Sequence, residues 1–280
     1  TLRSAGLHDG RFKNEGLTIA DVEALVPDLL AFTVAPRSNQ DVEGWLQERL
    51  GAPKPRMWWA MRQYGRFVHA TTGGPWSFGP RPGYVGARIQ ARPGDTAASG
   101  RWLVRRYLAG FGPATMPDIA QFATIIRPPI KEALESLGDE LVRHEGLDGA
   151  TLYDVPDGLL PPEETPTPPR LLPMWESVLL AYKDRSRVMP AEHRTLVMRV
   201  NGDVLPTLLV DGQVTGVWRP VEGGVEATAF HALTDDAWDG LETEARSLSA
   251  FLADRGPRIY HGRFAHWWGK LPEAEVRILR

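Results

Sequence analysis

Glycine and proline divide the first half of the chain twice into the same order of parts, and this repeated punctuation limits the available folds more than any other feature. Thr18, followed by Asp21, can cap a helix whose apolar stripe is Ile19, Val22, Leu25, Val26 and Leu29. Pro36 ends the connection. Ser38-Asn39-Gln40-Asp41 then has capping-box spacing ahead of a short helix with Val42, Trp45, Leu46 and Leu50 inward. Pro53 and Pro55 break the chain again, and a third helix is expected from about Arg56, carrying Trp58, Met61 and Arg62 until Gly65 stops it. Phe67-Val68-His69-Ala70, a Gly73-Gly74 turn and Trp76-Ser77-Phe78 read as a β-hairpin.

The order recurs downstream. A helix around Arg101–Leu108 is expected to end at Gly110, with Gly112-Pro113 blocking its continuation. Thr115 and Asp118 are spaced as a second capping box, and Pro128-Pro129 suit the first turn of another helix, where missing amide donors cost little. Ile130, Ala133, Leu134 and Leu137 give that helix its buried stripe. Leu141–Glu145 and Thr151–Val155 flank a glycine-containing loop as a second hairpin. Residues 15–92 and 100–157 thus carry one plan twice, three short helices and then a hairpin, which is the winged-helix order.

Pro156 to Pro173 is dense in proline and acid and reads as a stiff, solvated linker. Beyond it, Leu196–Val200, Val204–Val210, Val214–Trp218 and Glu226–Phe230 are short β-type runs. They are separated by Asn201-Gly202, Asp211-Gly212 and Gly223-Gly224, dipeptides that tolerate positive φ. Thr234 caps a helix running to about Ala253. The expected fold is α+β: tandem winged-helix modules at 1–95 and 96–157, a linker at 158–173, and a C-terminal β-barrel or sheet with a helix at 174–280.

Composition excludes several classes. The chain has no cysteine, so disulfides, thiolate metal sites and thiol nucleophiles are ruled out, and a reducing cytoplasm fits; the cation segregation at residues 49–94 would add association with the nucleoid. No apolar run is long enough to span a bilayer, so no membrane partner is expected. The histidines are scattered without ligand spacing, so neither metal nor other cofactor is expected. Net charge is −3, yet its distribution is uneven. Between Arg49 and Gly94 there is no Asp or Glu, while Arg49, Lys54, Arg56, Arg62, Arg66, Arg81, Arg88 and Arg92 all fall there. Such segregation suits a polyanion.

A winged helix presents its third helix to the major groove and its hairpin to backbone or minor groove. In the first module the candidates are Arg56, Arg62 and Arg66. The second offers Arg127 and Lys131 beside Glu132 and Glu135, and Arg143 and His144 near the hairpin, so it is the poorer reader of DNA. A further cluster, Lys183-Asp184-Arg185-Ser186-Arg187 with His193 and Arg194, can be read two ways. Either it is a solvated loop in which Asp184 pairs with an arginine, or it clamps a phosphate backbone.

Arg105-Arg106-Tyr107-Leu108-Ala109-Gly110-Phe111-Gly112-Pro113-Ala114-Thr115, Leu171-Leu172-Pro173-Met174-Trp175, the 183–187 cluster and Leu208–Trp218 resemble the signature of the HTH_42 winged-helix family, which includes AlkZ- and YcaQ-type DNA glycosylases. The resemblance runs from about residue 17 to 253. It implies tandem winged helices with a C-terminal β-barrel, double-stranded DNA as partner, and excision of alkylated bases or unhooking of interstrand crosslinks. The family's Gln-x-Gln or Gln-x-Asp catalytic motif has no counterpart, because Gln occurs only at 40, 47, 63, 90, 121 and 213. The resemblance enters near the end of what would be the family's first module. Two expectations follow: an upstream segment carries the motif, or the protein is a shortened, non-catalytic DNA-binding relative. No catalytic residue is assigned, and oligomeric state is left open. A protein-interaction scaffold built on the acidic second module is the third class.

Overall fold

The computed structural model describes residues 10–54, 57–64, 66–71, 83–87, 95–254 and 265–280. The chain is a mixture of helix and sheet and divides into two compact units, Thr1–Trp102 and Leu103–Arg280.

In the first unit, α1 (Gly10–Asn14) precedes α2 (Ile19–Phe32), α3 (Asn39–Leu50) and α4 (Met57–Tyr64). Both expected capping boxes form: the Thr18 and Ser38 hydroxyls accept from the Asp21 and Asp41 amides, and each aspartate accepts from its cap residue's amide. Gly51, at φ 72°, terminates α3 in the left-handed region. Strands β1 (Arg37–Ser38), β2 (Phe67–Ala70) and β3 (Gly83–Gly86) form an antiparallel sheet in the order β1-β3-β2. Val22, Leu29, Val42, Leu46, Met57, Trp58 and Met61 fill the core. Trp58 meets Phe67 and Tyr84 edge-on, each at 5.1 Å, and its indole N–H donates to Asn39 Oδ1 at 2.9 Å.

β2 pairs with Gly83–Gly86, and the expected partner run Trp76-Ser77-Phe78 lies outside the described residues. Gly86 lies close to α2. A Cβ there would sit 3.2 Å from Leu30 Cδ2 and 3.4 Å from the Leu30 carbonyl oxygen, so β3 runs tight against the end of α2.

The second unit opens on α5 (Thr96–Phe111), of which residues from Leu103 onward belong to it. The helix begins earlier than expected and runs through Gly110. It is followed by α6 (Met116–Ala123), α7 (Arg127–Leu137), a 3-10 turn and the hairpin β4 (Val142–Glu145) and β5 (Thr151–Asp154). Val104, Leu108, Ile119, Ile130, Leu134 and Leu137 close this core. The hairpin is fastened by an antiparallel bridge between Ala114 and Tyr153.

The rest of the unit is a five-stranded antiparallel sheet, in the order β10-β9-β8-β7-β6. Its strands are β6 (Arg170–Leu172), β7 (Thr207–Val210), β8 (Gln213–Val221), β9 (Gly224–Ala229) and β10 (Glu275–Leu279). Leu208, Val210, Trp218 and Ala227 pack against Trp238, Leu241 and Ala245 of α10 (Asp235–Leu252). Val214 and Val217 pack with Leu179 of α8 (Ser177–Leu180), Val197 of α9 (Ala191–Val197), and Trp267 and Trp268 of α11 (Ala265–Trp268). Asp211 (φ 48°) and Gly212 (φ 73°) make the β7–β8 turn in the conformation that dipeptide favours.

Two expectations are corrected here. Leu196–Val200 is not a strand, since Leu196 and Val197 end α9 and only Met198 bridges to Val204. The segment 158–173 is not wholly a linker: Arg170–Leu172 is an edge strand, where neighbouring prolines cost no ladder hydrogen bond. Of the two forms expected for the C-terminal strands, a barrel or a sheet, the described residues show an open sheet with β6 and β10 at its ends.

Candidate nucleic-acid interface

The eight-residue helix α4 turns Trp58 and Met61 inward and leaves Trp59 exposed and Arg62 half-buried. Arg62 is ordered by its neighbours. Nη1 donates to the Tyr84 hydroxyl at 2.6 Å, and the guanidinium stands over the Trp59 and Tyr84 rings, 5.7 Å from each centroid. The His69 ring lies 4.7 Å from that of Tyr84, and partial burial, then the Arg62 charge, hold its pKa below the ordinary value. Arg66, exposed at the start of the hairpin, lines a shallow cavity with Leu30, Val34, Gly86 and Ala87. Arg56 lies outside the described residues.

In the second unit the basic cluster forms a fastened loop. The Tyr107 hydroxyl on α5 donates to the Ala181 carbonyl at 2.6 Å, and the Tyr182 hydroxyl donates to the Phe111 carbonyl at 2.9 Å. Burial raises the pKa of both phenols, most for Tyr107. The Lys183 amide donates to Asp118 Oδ1 at 2.7 Å. Gln121 donates to the Tyr182 carbonyl at 3.3 Å, and Gln213 donates to that of Arg187, so two glutamines bracket the loop.

The cations on this loop differ in what they can offer a ligand. The Lys183, Arg187 and Arg194 side chains are exposed, with Arg187 stacked over Tyr182 at 4.5 Å. Arg185 is half-buried: Nε donates to the Leu179 carbonyl at 2.6 Å and Nη1 to the Lys183 carbonyl at 3.3 Å, and desolvation draws its pKa down. Its guanidinium holds the loop's own backbone. Asp184 accepts from the Ser186 amide (2.9 Å) and hydroxyl (3.1 Å), which lower its pKa before the nearby Arg187 and Arg194 charges add to the effect. The expected partner of Asp184 was an arginine; serine takes the hydrogen bonds.

His193 corrects the sequence reading. It is buried, with Nδ1 paired to the Val214 carbonyl at 2.8 Å, its ring edge-on to Phe230 at 5.0 Å and stacked on His231 at 6.1 Å. An apolar run on β8 supplies that carbonyl, so the imidazole completes a core instead of facing solvent. Lys131 pairs with Glu135 at 3.6 Å within α7, and Arg105 of α5 pairs with Glu140 at 2.6 Å. Asp118, Tyr107, Tyr182 and Gln121 went unnoticed as site residues. Only the capping box at Thr115–Asp118 signalled one of them. Among the described residues no cluster of His, Asp or Glu is arranged to hold a metal, and no helix is long and apolar enough to cross a membrane.

The exposed cations of the 183–187 loop, with Arg187 over the Tyr182 ring and Lys183 on a backbone held by Asp118, could meet an extended anion. A family model described as "DNA glycosylase AlkZ-like" matches residues 2–251, and the chain belongs to that family. An interstrand DNA cross-link repair glycosylase of Streptomyces sahachiroi is 30% identical over 134 residues, 46% of this chain. The match spans 36% of that relative's length. The solved structure of the DNA glycosylase AlkZ of Streptomyces sahachiroi superimposes with a TM-score of 0.68 at 18% identity, covering 88% of this chain and 70% of that one. At that identity the likeness concerns the fold.

Proposed function

We propose that the chain binds duplex DNA through two winged-helix modules and the loop at 183–187, in the service of repair of alkylated or crosslinked bases. The carrying observation is the loop itself: Lys183 and Arg187 are exposed on a segment tied to α5 and α6 by four hydrogen bonds, two given and two received, with Arg194 beside them. Cations carried on a held backbone lose less freedom on meeting phosphates than cations on a loose one, which favours them as ligands. Arg62 and Arg66 offer a second set of cations on the first unit, with Arg56 next to them in sequence. Arg185 supports the site by holding the backbone. His193 serves it only by packing.

A glycosylase must stabilise a sugar oxocarbenium ion and place a water. An N-alkylated base is already cationic and leaves readily, so little general acid is needed. A second, non-catalytic reading is favoured by the absence of Gln-x-Gln or Gln-x-Asp spacing from these 280 residues. Binding of a labelled duplex, plain and N-alkylated, measured across salt concentrations, tests both readings. Tight, salt-dependent binding is expected, with a log–log slope of about −0.9 per phosphate engaged. Salt-independent affinity overturns DNA binding. Release of free alkylated base supports the enzyme, and binding without release supports the non-catalytic reader.

A further inference from the structure

Asp118 lies at the third position of α6 and is 6% exposed. One carboxylate oxygen, Oδ2, does what the capping box requires, accepting from the Thr115 amide at 2.8 Å and its hydroxyl at 2.6 Å. The other reaches outside the module and takes the Lys183 amide at 2.7 Å, across 65 residues of sequence. The same carboxylate therefore closes a helix and pins the first residue of the cationic loop. The two tyrosine hydroxyls and Gln121 act on the residues just before it, Ala181 and Tyr182. Downstream, Arg187 rests on the Tyr182 ring, so fixing Tyr182 and Lys183 fixes where both exposed cations start.

We propose that Asp118 is a positioning residue for DNA phosphates, holding the backbone of the 183–187 loop so that Lys183 and Arg187 meet adjacent phosphates as a preformed pair. The inference rests on the DNA-binding reading above. Its chemistry is unusual for such a site, since a buried anion improves the binding of another anion. Two amide donors and a hydroxyl satisfy the carboxylate, so its charge is spent inside the protein. An acid that faced the ligand would repel it.

Asp118→Asn is the direct test, because the amide has one acceptor oxygen where the site presents N–H donors on both sides. Thr115→Ala is the control: it weakens the same cap and leaves Oδ1 with the Lys183 amide. Salt-dependent affinity for a plain duplex is measured for each, beside thermal midpoints. Both variants are expected to melt earlier. Only Asp118→Asn is expected to flatten the salt slope, by about 0.9 for each phosphate no longer engaged, so that its affinity deficit is largest at low salt and shrinks about 3.5-fold per phosphate over a fourfold rise in salt.

The loss is also expected to vanish in a Lys183→Ala/Arg187→Ala background, since Asp118 acts only through those side chains. Tyr182→Phe, which deletes one fastening and keeps the ring beneath Arg187, serves if Asp118→Asn does not fold, and is expected to flatten the slope as well. A wild-type slope in every variant that folds overturns the proposal while leaving DNA binding intact. A wild-type protein without salt-dependent binding overturns the reading beneath it.

Discussion

Arg62 and Tyr84, on the last turn of α4 and the middle of β3, are joined by a 2.6 Å hydrogen bond, and the guanidinium also lies over the tyrosine ring. One arginine thereby fastens the exposed side of a helix to the sheet behind it. Making that bond while lying over two rings needs a planar, extended cation, which lysine cannot imitate. Arg62→Lys is expected to lower the stability of the first unit by about 1 kcal/mol, combining a weakened charge-assisted hydrogen bond and reduced stacking over Trp59 and Tyr84. Urea unfolding followed by tryptophan fluorescence checks this. Unchanged stability would mean that the stack contributes nothing.

His193 and Arg194 are sequence neighbours with opposite expected signatures. His193→Phe keeps a flat ring in the core but leaves the Val214 carbonyl without its imidazole partner, which costs about 1–3 kcal/mol. It is expected to leave the salt slope of DNA binding unchanged. Arg194→Ala is expected to leave stability nearly intact and reduce that slope by about 1. Denaturation and binding titrations on the two variants separate packing from phosphate binding.

The contrast between these neighbours also shows what the sequence could and could not convey. Helix starts were readable because a cap is a local device: Thr18–Asp21, Ser38–Asp41 and Thr115–Asp118 each operate over three residues, and all three form. Strand partners were not, since β6 and β10 reach the sheet from segments far from β7–β9, and β3 begins and ends in glycine. The run Leu196–Val200 is too short for periodicity to separate strand from buried helix end, and only its first two residues are helical, closing α9. Charge was visible in the 183–187 loop, but whether each charge faces water depends on carbonyls from elsewhere in the unit. Leu179 turns Arg185 inward, and Val214 does the same for His193.

Gly216, within the run Leu208–Trp218, tests the packing of β8 on β9. A Cβ at this position would lie 2.3 Å from the Thr228 carbonyl oxygen and 2.9 Å from the Ala229 Cα, both backbone atoms of the paired strand. Neither can swing aside as a side chain does. Gly216→Ala is expected to cost about 3 kcal/mol through forced separation of the strands, read as a lowered thermal midpoint of the second unit. An alanine tolerated without loss would show that the two strands do not lie so close.

His69 makes the stability of the first unit depend on pH. Its pKa is lowered from 6.5 by burial and by the Arg62 guanidinium, so the folded unit resists a proton that the unfolded chain accepts. At pH values above 6.5 both states are neutral at this ring and the unit has its full stability. As pH falls below 6.5 the unfolded chain binds the proton first, and stability declines until the pH passes below the folded value. Urea midpoints measured between about pH 7.5 and about 5 are therefore expected to fall with pH. His69→Gln removes the titration and is expected to flatten that decline. A variant that declines as steeply as the wild type would assign the effect to another group.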